Sequence, residues 1–200
     1  MGRQHPSLSL SGVFLVPEKE QKMKKLCMSA ALAAIAVLVF GNFSTKAKTD
    51  DEAIISARMV GLGEVPPTNS KGAADFHGTI SSDGTTITYT LKWSGLTTLP
   101  LASHIHFGPT KVNGGIMVFL CGGGGKPACT QATSGMASGT ITAADIVGPA
   151  VQGIPPAPNG SFADVIRAIR THNAYANLHT AMFTGGEVRG PVEAHGEDDE

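Results

Sequence analysis

A stretch of strict alternation constrains this chain more than any other feature. From Thr85 to Trp93, large apolar side chains alternate with threonine and lysine. Successive side chains of a strand point to opposite faces of a sheet, so this pattern predicts a half-buried β-strand. The Asp83-Gly84 pair just before it favours a tight turn, and the segment from Gly72 to Ile80 alternates in the same way. Together these segments predict an antiparallel hairpin.

The rest of the chain repeats this pattern, with short apolar runs between turn residues. Its 200 residues include 25 glycines and 12 prolines, and only 16% are charged. This composition is typical of one all-β domain with many turns. No basic or aromatic cluster indicates a nucleic-acid partner. Further strands are predicted over residues 53–62, 103–108, 115–121, 135–141, 174–180 and 188–194.

One segment has helical rather than alternating spacing. Between Ser161 and Thr171, apolar residues recur at intervals of three and four, which predicts a helix. Ser161 is expected to cap it, with Asp164 as the acid of a capping box. A single helical turn capped by Thr142 is also predicted.

The N-terminal region has the pattern of a secretory signal peptide. Met23-Lys24-Lys25 precedes an apolar run from Leu26 to Phe43, and cleavage is expected after Ala47. Residues 1–22 are interpreted as a possible upstream extension, and residues 195–200 as an acidic tail. The mature protein would then be secreted or periplasmic; an uncleaved membrane anchor is the alternative.

Two cysteines remain after this cleavage. Cys121 and Cys129 flank a glycine-rich loop. In an oxidising compartment they are expected to form a disulfide. A pair of thiolate metal ligands is the alternative interpretation.

The segment with the most chemical content is Ser103-His104-Ile105-His106. On a strand, His104 and His106 project from the same face and provide half of a metal site. His179, on a separate predicted strand, is the leading candidate for the third ligand, and His77 is a possible extra ligand. Imidazole nitrogens suit copper and zinc. The alternative is that these histidines only pack and form hydrogen bonds.

Motifs of the common catalytic classes do not occur. The chain has no Gly-x-Ser-x-Gly, phosphate-binding loop, dinucleotide fingerprint or His-Glu-x-x-His. Glu64, Asp75 and Glu187 have no spacing that indicates a carboxylate pair.

Four motifs resemble, in this order, those of the CHRD domain, a module named from chordin and found in many secreted bacterial proteins. They are residues 64–67 (EVPP), 102–108 (ASHIHFG), 174–180 (AYANLHT) and 186–190 (GEVRG). The resemblance covers residues 53–194 and implies a β-sandwich. It implies little about activity.

A looser resemblance links residues 72–107 to the early strands of copper–zinc superoxide dismutase. Both have an alternating strand, a Ser-Gly-Leu-Thr turn and then His-x-His. This resemblance implies that His104, His106 and His179 are copper ligands and that Arg189 is a catalytic residue that steers superoxide. The chain lacks a histidine shortly after His106 to bridge to zinc, so any site would be mononuclear.

These observations predict an all-β, Greek-key β-sandwich, superoxide-dismutase-like or immunoglobulin-like, with one short helix. Its expected cofactor is copper, with zinc possible, and its expected reaction is superoxide dismutation. Copper carriage without turnover is one alternative. A metal-free adhesion or ligand-binding module with an unknown protein partner is the other.

Overall fold

The computed structural model describes residues 52–195, which form nine strands and one α-helix. The helix, α1, spans Phe162–Arg170. The strands are β1 (Ala53–Val60), β2 (Ala73–Ile80), β3 (Ile87–Ser94), β4 (Pro100–Phe107), β5 (Gly115–Cys121), β6 (Gly135–Ile141), β7 (Ala174–Thr180), β8 (Val188–Pro191) and β9 (Glu193–His195).

The predicted hairpin is confirmed as β2 and β3, which pair antiparallel along their whole length. Ile87 and Leu91 are fully buried, and the intervening threonines face outward. The strand begins at Ile87 rather than Thr85 because the turn captures the first amides. The Asp83 carboxylate accepts a hydrogen bond from the Thr85 N–H at 3.0 Å, and Gly84 takes a positive φ of 66°.

The strands form one nearly closed antiparallel sheet in the order β5-β4-β7-β8-β1-β2-β3-β6, with β9 beside β1. The neighbours β4 and β7, and likewise β1 and β8, are distant in sequence. The Tyr89 hydroxyl of β3 donates to the Leu120 carbonyl of β5 at 2.6 Å, so it links β5, at one end of the sheet, to the strand next to the other end. The all-β prediction with one short helix is therefore confirmed.

The helix forms where it was predicted, but the predicted cap does not. Ser161 precedes α1 and makes no side-chain capping bond within the described residues. Asp164 instead pairs with Arg167 at 2.8 Å, an interaction one turn along the helix that competes for its carboxylate. The capping box occurs at the predicted turn, where Thr142 and Asp145 bond each other's backbone amides around Ala143–Asp145.

The C-terminal strand is divided and longer than predicted. His195, assigned above to the tail, ends β9 and hydrogen-bonds Ser56 of β1 at 2.7 Å. The predicted signal peptide and residues 196–200 lie outside the described residues. Across residues 52–195, no helix is long and apolar enough to cross a membrane.

The predicted disulfide is also confirmed. Cys121 at the end of β5 is bonded to Cys129, and both residues are buried. Their sulfurs are therefore not thiolate ligands in this fold.

Candidate metal centre

Two of the candidate ligands come from β4, which lies between β5 and β7. His104 and His106 project from the same face, as the alternation predicts, and their ring centroids are 4.8 Å apart. Ile105 points the other way and is fully buried in the core. Both imidazoles are 5–8% exposed. The strand therefore presents a fixed, sheltered pair.

The third histidine arrives through strand pairing. His179 lies on β7, opposite Ala102 of β4, and its ring centroid is 4.6 Å from that of His104. One nitrogen from each of the three rings lies within 4.8 Å of the others. The predicted convergence of His104, His106 and His179 is confirmed.

Backbone carbonyls fix the tautomer of two of these rings. His106 Nδ1 lies 2.8 Å from the Gly114 carbonyl, and His179 Nδ1 lies 2.8 Å from the Thr184 carbonyl. A carbonyl only accepts, so each Nδ1 donates its proton and each neutral ring keeps a lone pair on Nε2. This is the second contact that metal-ligating histidines almost always make.

His179 Nε2 is buried and has no hydrogen-bond partner among the described residues. A buried lone pair without a partner is costly, and such groups call for an explanation such as an ion. A metal ion bound at this nitrogen would remove that cost.

Asn177, which the sequence reasoning missed, completes the cluster. Its Oδ1 lies 3.0 Å from His104 Nδ1 and 3.1 Å from His106 Nε2, and those two nitrogens are 2.9 Å apart. Because Asn177 precedes His179 by two residues on one strand, both side chains share a face. That spacing is the signal that could have found it.

Burial keeps the three imidazoles neutral. Burial, with the nearby His179 and His106 rings, lowers the pKa of His104 to about 3. Burial lowers the pKa of His106 to about 4 despite its hydrogen bonds to Gly114 and Asn177. It also lowers the pKa of His179 against the Thr184 bond. Neutral imidazole is the form that binds metals.

Aromatic rings hold the imidazoles in place. Phe119 of β5 meets His104 edge-on at 4.8 Å, and Tyr175 of β7 stacks on His106 at 4.6 Å with the rings 4° from parallel. On the Tyr175 ring lies the guanidinium of Arg189, 4.3 Å from the centroid.

Arg189 faces a loop and a carboxylate. It is 2% exposed, and it donates to the Thr110 and Val112 carbonyls and to Asn113 Oδ1. Its Nε lies 2.9 Å from Glu64 Oε2, although the N–H is not directed at that oxygen. The predicted steering role of Arg189 stays a prediction.

A second buried carboxylate supports the hairpin that carries the Thr184 carbonyl. Glu187 is fully buried and accepts hydrogen bonds from Ser70, from the amide and hydroxyl of Thr97, and from Thr180. Burial raises its pKa, but these donors outweigh burial, and the net shift is downward.

His77, the possible extra ligand, lies on β2 with an exposed side chain, and the structure does not bring it to the other three histidines.

The nitrogen cluster fits a metal ion with a small adjustment. Imidazole nitrogens bind zinc at about 2.0–2.1 Å, so two ligands lie at most about 4.2 Å apart. The separations here reach up to 4.8 Å. Inward movement of well under 1 Å per ring therefore suffices, which side-chain rotation can supply.

The fold and the site define a class: an all-β domain, built on one nearly closed sheet, with a three-histidine candidate metal centre on adjacent strands. The CHRD domain family model matches residues 55–192, more than half of the chain. The chain belongs to the CHRD domain family, as its motifs predict. Comparison with curated proteins gave no match, and comparison with solved structures gave none either.

Proposed function

We propose that this protein is an exported CHRD domain that binds one copper ion through His104 Nδ1, His106 Nε2 and His179 Nε2. The observation that supports this most is the buried His179 Nε2. It lies close to the other two imidazoles and has no hydrogen-bond partner among the described residues. Before any ion arrives, two of the three nitrogens, His106 Nε2 and His179 Nε2, already present a lone pair, because a backbone carbonyl holds the proton of each ring on Nδ1.

Copper is favoured over other divalent ions by the donor type. Nitrogen sites bind copper(II) most tightly of the first-row divalent metals, and zinc also suits imidazole ligands. The two cysteines are used in the disulfide, and Glu64 and Glu187 are engaged elsewhere. The described residues therefore offer this ion imidazole nitrogens rather than thiolates or carboxylates.

Holding or delivering copper fits the surroundings better than dismutation does. Bound copper supplies one-electron chemistry, which superoxide dismutation requires. However, His104 and His106 are almost fully buried, and Arg189 is committed to Glu64 and the 110–113 loop. Neither observation supports rapid approach of an anion to the ion.

A metal-free module is the second candidate, and one observation supports it. His104 Nδ1 lies within hydrogen-bond distance of both His106 Nε2 and Asn177 Oδ1. A proton on His104 Nδ1 would satisfy both acceptors, so two of the three rings can be accommodated without an ion.

Titration of the exported protein with copper(II) under competition by a chelator separates these candidates. We expect one tight equivalent, lost in His104→Ala and in His179→Ala and kept in His77→Ala, because His77 is exposed and remote from the cluster. Absence of stoichiometric binding by the wild type would favour the metal-free module.

A superoxide-decay assay then separates turnover from carriage. The copper-loaded protein is compared with the same concentration of free copper. If loading gives no acceleration over free copper, the protein holds copper without dismutating superoxide.

A further inference from the structure

We propose that Asn177 is a fourth protein ligand of the ion, through its side-chain oxygen. This inference rests on the proposed copper site and names a residue beyond the three histidines. Asn177 is 1% exposed and lies on β7 directly opposite His104. Its Oδ1 is within 3.1 Å of two of the three candidate ligand nitrogens.

The distances match those between neighbouring ligands of one ion. Ligands at about 2.0–2.2 Å from a metal, at angles of 90–109°, lie roughly 2.8–3.5 Å from each other. His104 Nδ1, His106 Nε2 and Asn177 Oδ1 form a triangle with sides of 2.9, 3.0 and 3.1 Å. An ion that bonds the two nitrogens can therefore reach this oxygen without a rearrangement of the strand.

The lone pairs at the triangle also call for a proton or a cation between them. The Gly114 carbonyl holds the proton of His106 on Nδ1, so His106 Nε2 presents a lone pair to Asn177 Oδ1 only 3.1 Å away. Two acceptors at this distance repel each other unless a proton or a cation lies between them. In the metal-free protein the His104 Nδ1 proton can do this. In the loaded protein His104 carries its proton on Nε2 instead, and the ion takes the place of the Nδ1 proton.

This fourth ligand would affect the two oxidation states of copper differently. An amide oxygen is a hard donor, which suits copper(II) and zinc better than copper(I). Loss of Asn177 Oδ1 should therefore lower the affinity for copper(II) more than the affinity for copper(I). That difference is a signature that a general loss of packing would not give.

The test compares Asn177→Leu, close in volume but without a donor, with Asn159→Leu at an exposed asparagine as the matched control. We expect Asn177→Leu to lower the affinity for copper(II) by at least about 10-fold, which is the lower end of the range for groups that support metal ligands. Its copper(I) affinity should change less than about 3-fold. Equal copper(II) affinity of Asn177→Leu and wild type, or equal losses for both ions, would overturn the proposal.

A second measurement does not depend on the variant folding. In a crystal structure of zinc-loaded wild type, Asn177 Oδ1 should lie about 2.0–2.2 Å from the ion. A distance beyond 3 Å, with water in the fourth position, would exclude Asn177 as a ligand while leaving the three-histidine site intact. If wild type binds neither copper nor zinc, the proposed function itself fails, which is a different result.

Discussion

Two buried polar clusters lie on either side of the hairpin between β7 and β8, and they differ in how fully they are satisfied. Around Glu187, four donors saturate one carboxylate. Around His179, a buried nitrogen has no partner among residues 52–195. The two anchor residues, Thr180 and His179, are adjacent on one strand. A buried group whose hydrogen bonds are all made indicates a structural role. A buried lone pair that has no hydrogen-bond partner indicates a site that binds an ion.

The largest expected effect is on the saturated cluster. Glu187→Ala should lower the free energy of unfolding by about 4 kcal/mol, because it leaves several buried donors unpaired at about 1–3 kcal/mol each. Urea denaturation of the metal-free protein measures this, with exposed Glu193→Gln as the control. A loss below 1 kcal/mol would show that the Glu187 cluster does not stabilise the fold as the comparison with the His179 cluster predicts.

The unsatisfied cluster should behave in the opposite way. His179→Ala should lower the affinity for copper(II) by at least about 100-fold, equivalent to about 2.7 kcal/mol of binding free energy. It should change the stability of the metal-free protein by less than about 1 kcal/mol, since it removes one carbonyl hydrogen bond together with an unpaired buried nitrogen. Chelator competition and urea denaturation measure the two quantities. A large stability loss with unchanged copper affinity would reverse the comparison.

Acid should reveal the cost of keeping the histidines neutral. Below the ordinary histidine pKa of 6.5 the unfolded chain gains protons, whereas His104 and His106, with pKa values of about 3 and about 4, stay neutral in the fold. Stability is therefore lost as pH falls below 6.5. Between pH 6.5 and 5.5 we expect the free energy of unfolding to fall by about 1 kcal/mol for each ring.

Denaturant titrations of the chelator-treated protein at the two pH values measure this loss. His77→Gln is the control, because it removes an exposed histidine that lies outside the cluster. A wild-type stability that stays constant between pH 6.5 and 5.5 would contradict burial of neutral imidazoles. Glu187, whose pKa is lowered, predicts no loss until pH falls below the ordinary range of glutamate.

Local patterns predicted the strands and the shared face of His104 and His106, because alternation follows directly from strand geometry. They did not predict contacts that depend on pairing between distant strands. The Glu64–Arg189 pair joins residues that are far apart in the sequence, so no local spacing predicts it. His179 was predicted as the third ligand because it is a histidine on a separate predicted strand, and the resemblance to copper–zinc superoxide dismutase implied the same residue; periodicity alone did not predict that its strand would pair with β4. The predicted capping box at α1 did not form: the Ser161 side chain makes no capping bond within the described residues, and the Asp164 carboxylate pairs with Arg167.

The smallest expected effect concerns Tyr175, which connects the histidine cluster to the Arg189 pair. Its ring lies between His106 and the guanidinium, and its hydroxyl accepts a hydrogen bond from the Gly114 N–H at 3.1 Å. Gly114 also supplies the carbonyl that orients His106. Tyr175→Phe keeps the stacked ring and removes only the hydroxyl, so we expect a stability loss of about 1 kcal/mol.

Copper(II) affinity of Tyr175→Phe should fall less than about 3-fold, because the Gly114–His106 bond survives. Tyr175→Leu removes the ring as well and should lower affinity further, by about 10-fold, the range for groups that orient a ligand. Chelator competition on both variants measures the difference. Equal affinities for Tyr175→Phe and Tyr175→Leu would mean that the stacked ring does not orient His106 and that the carbonyl bond alone is sufficient.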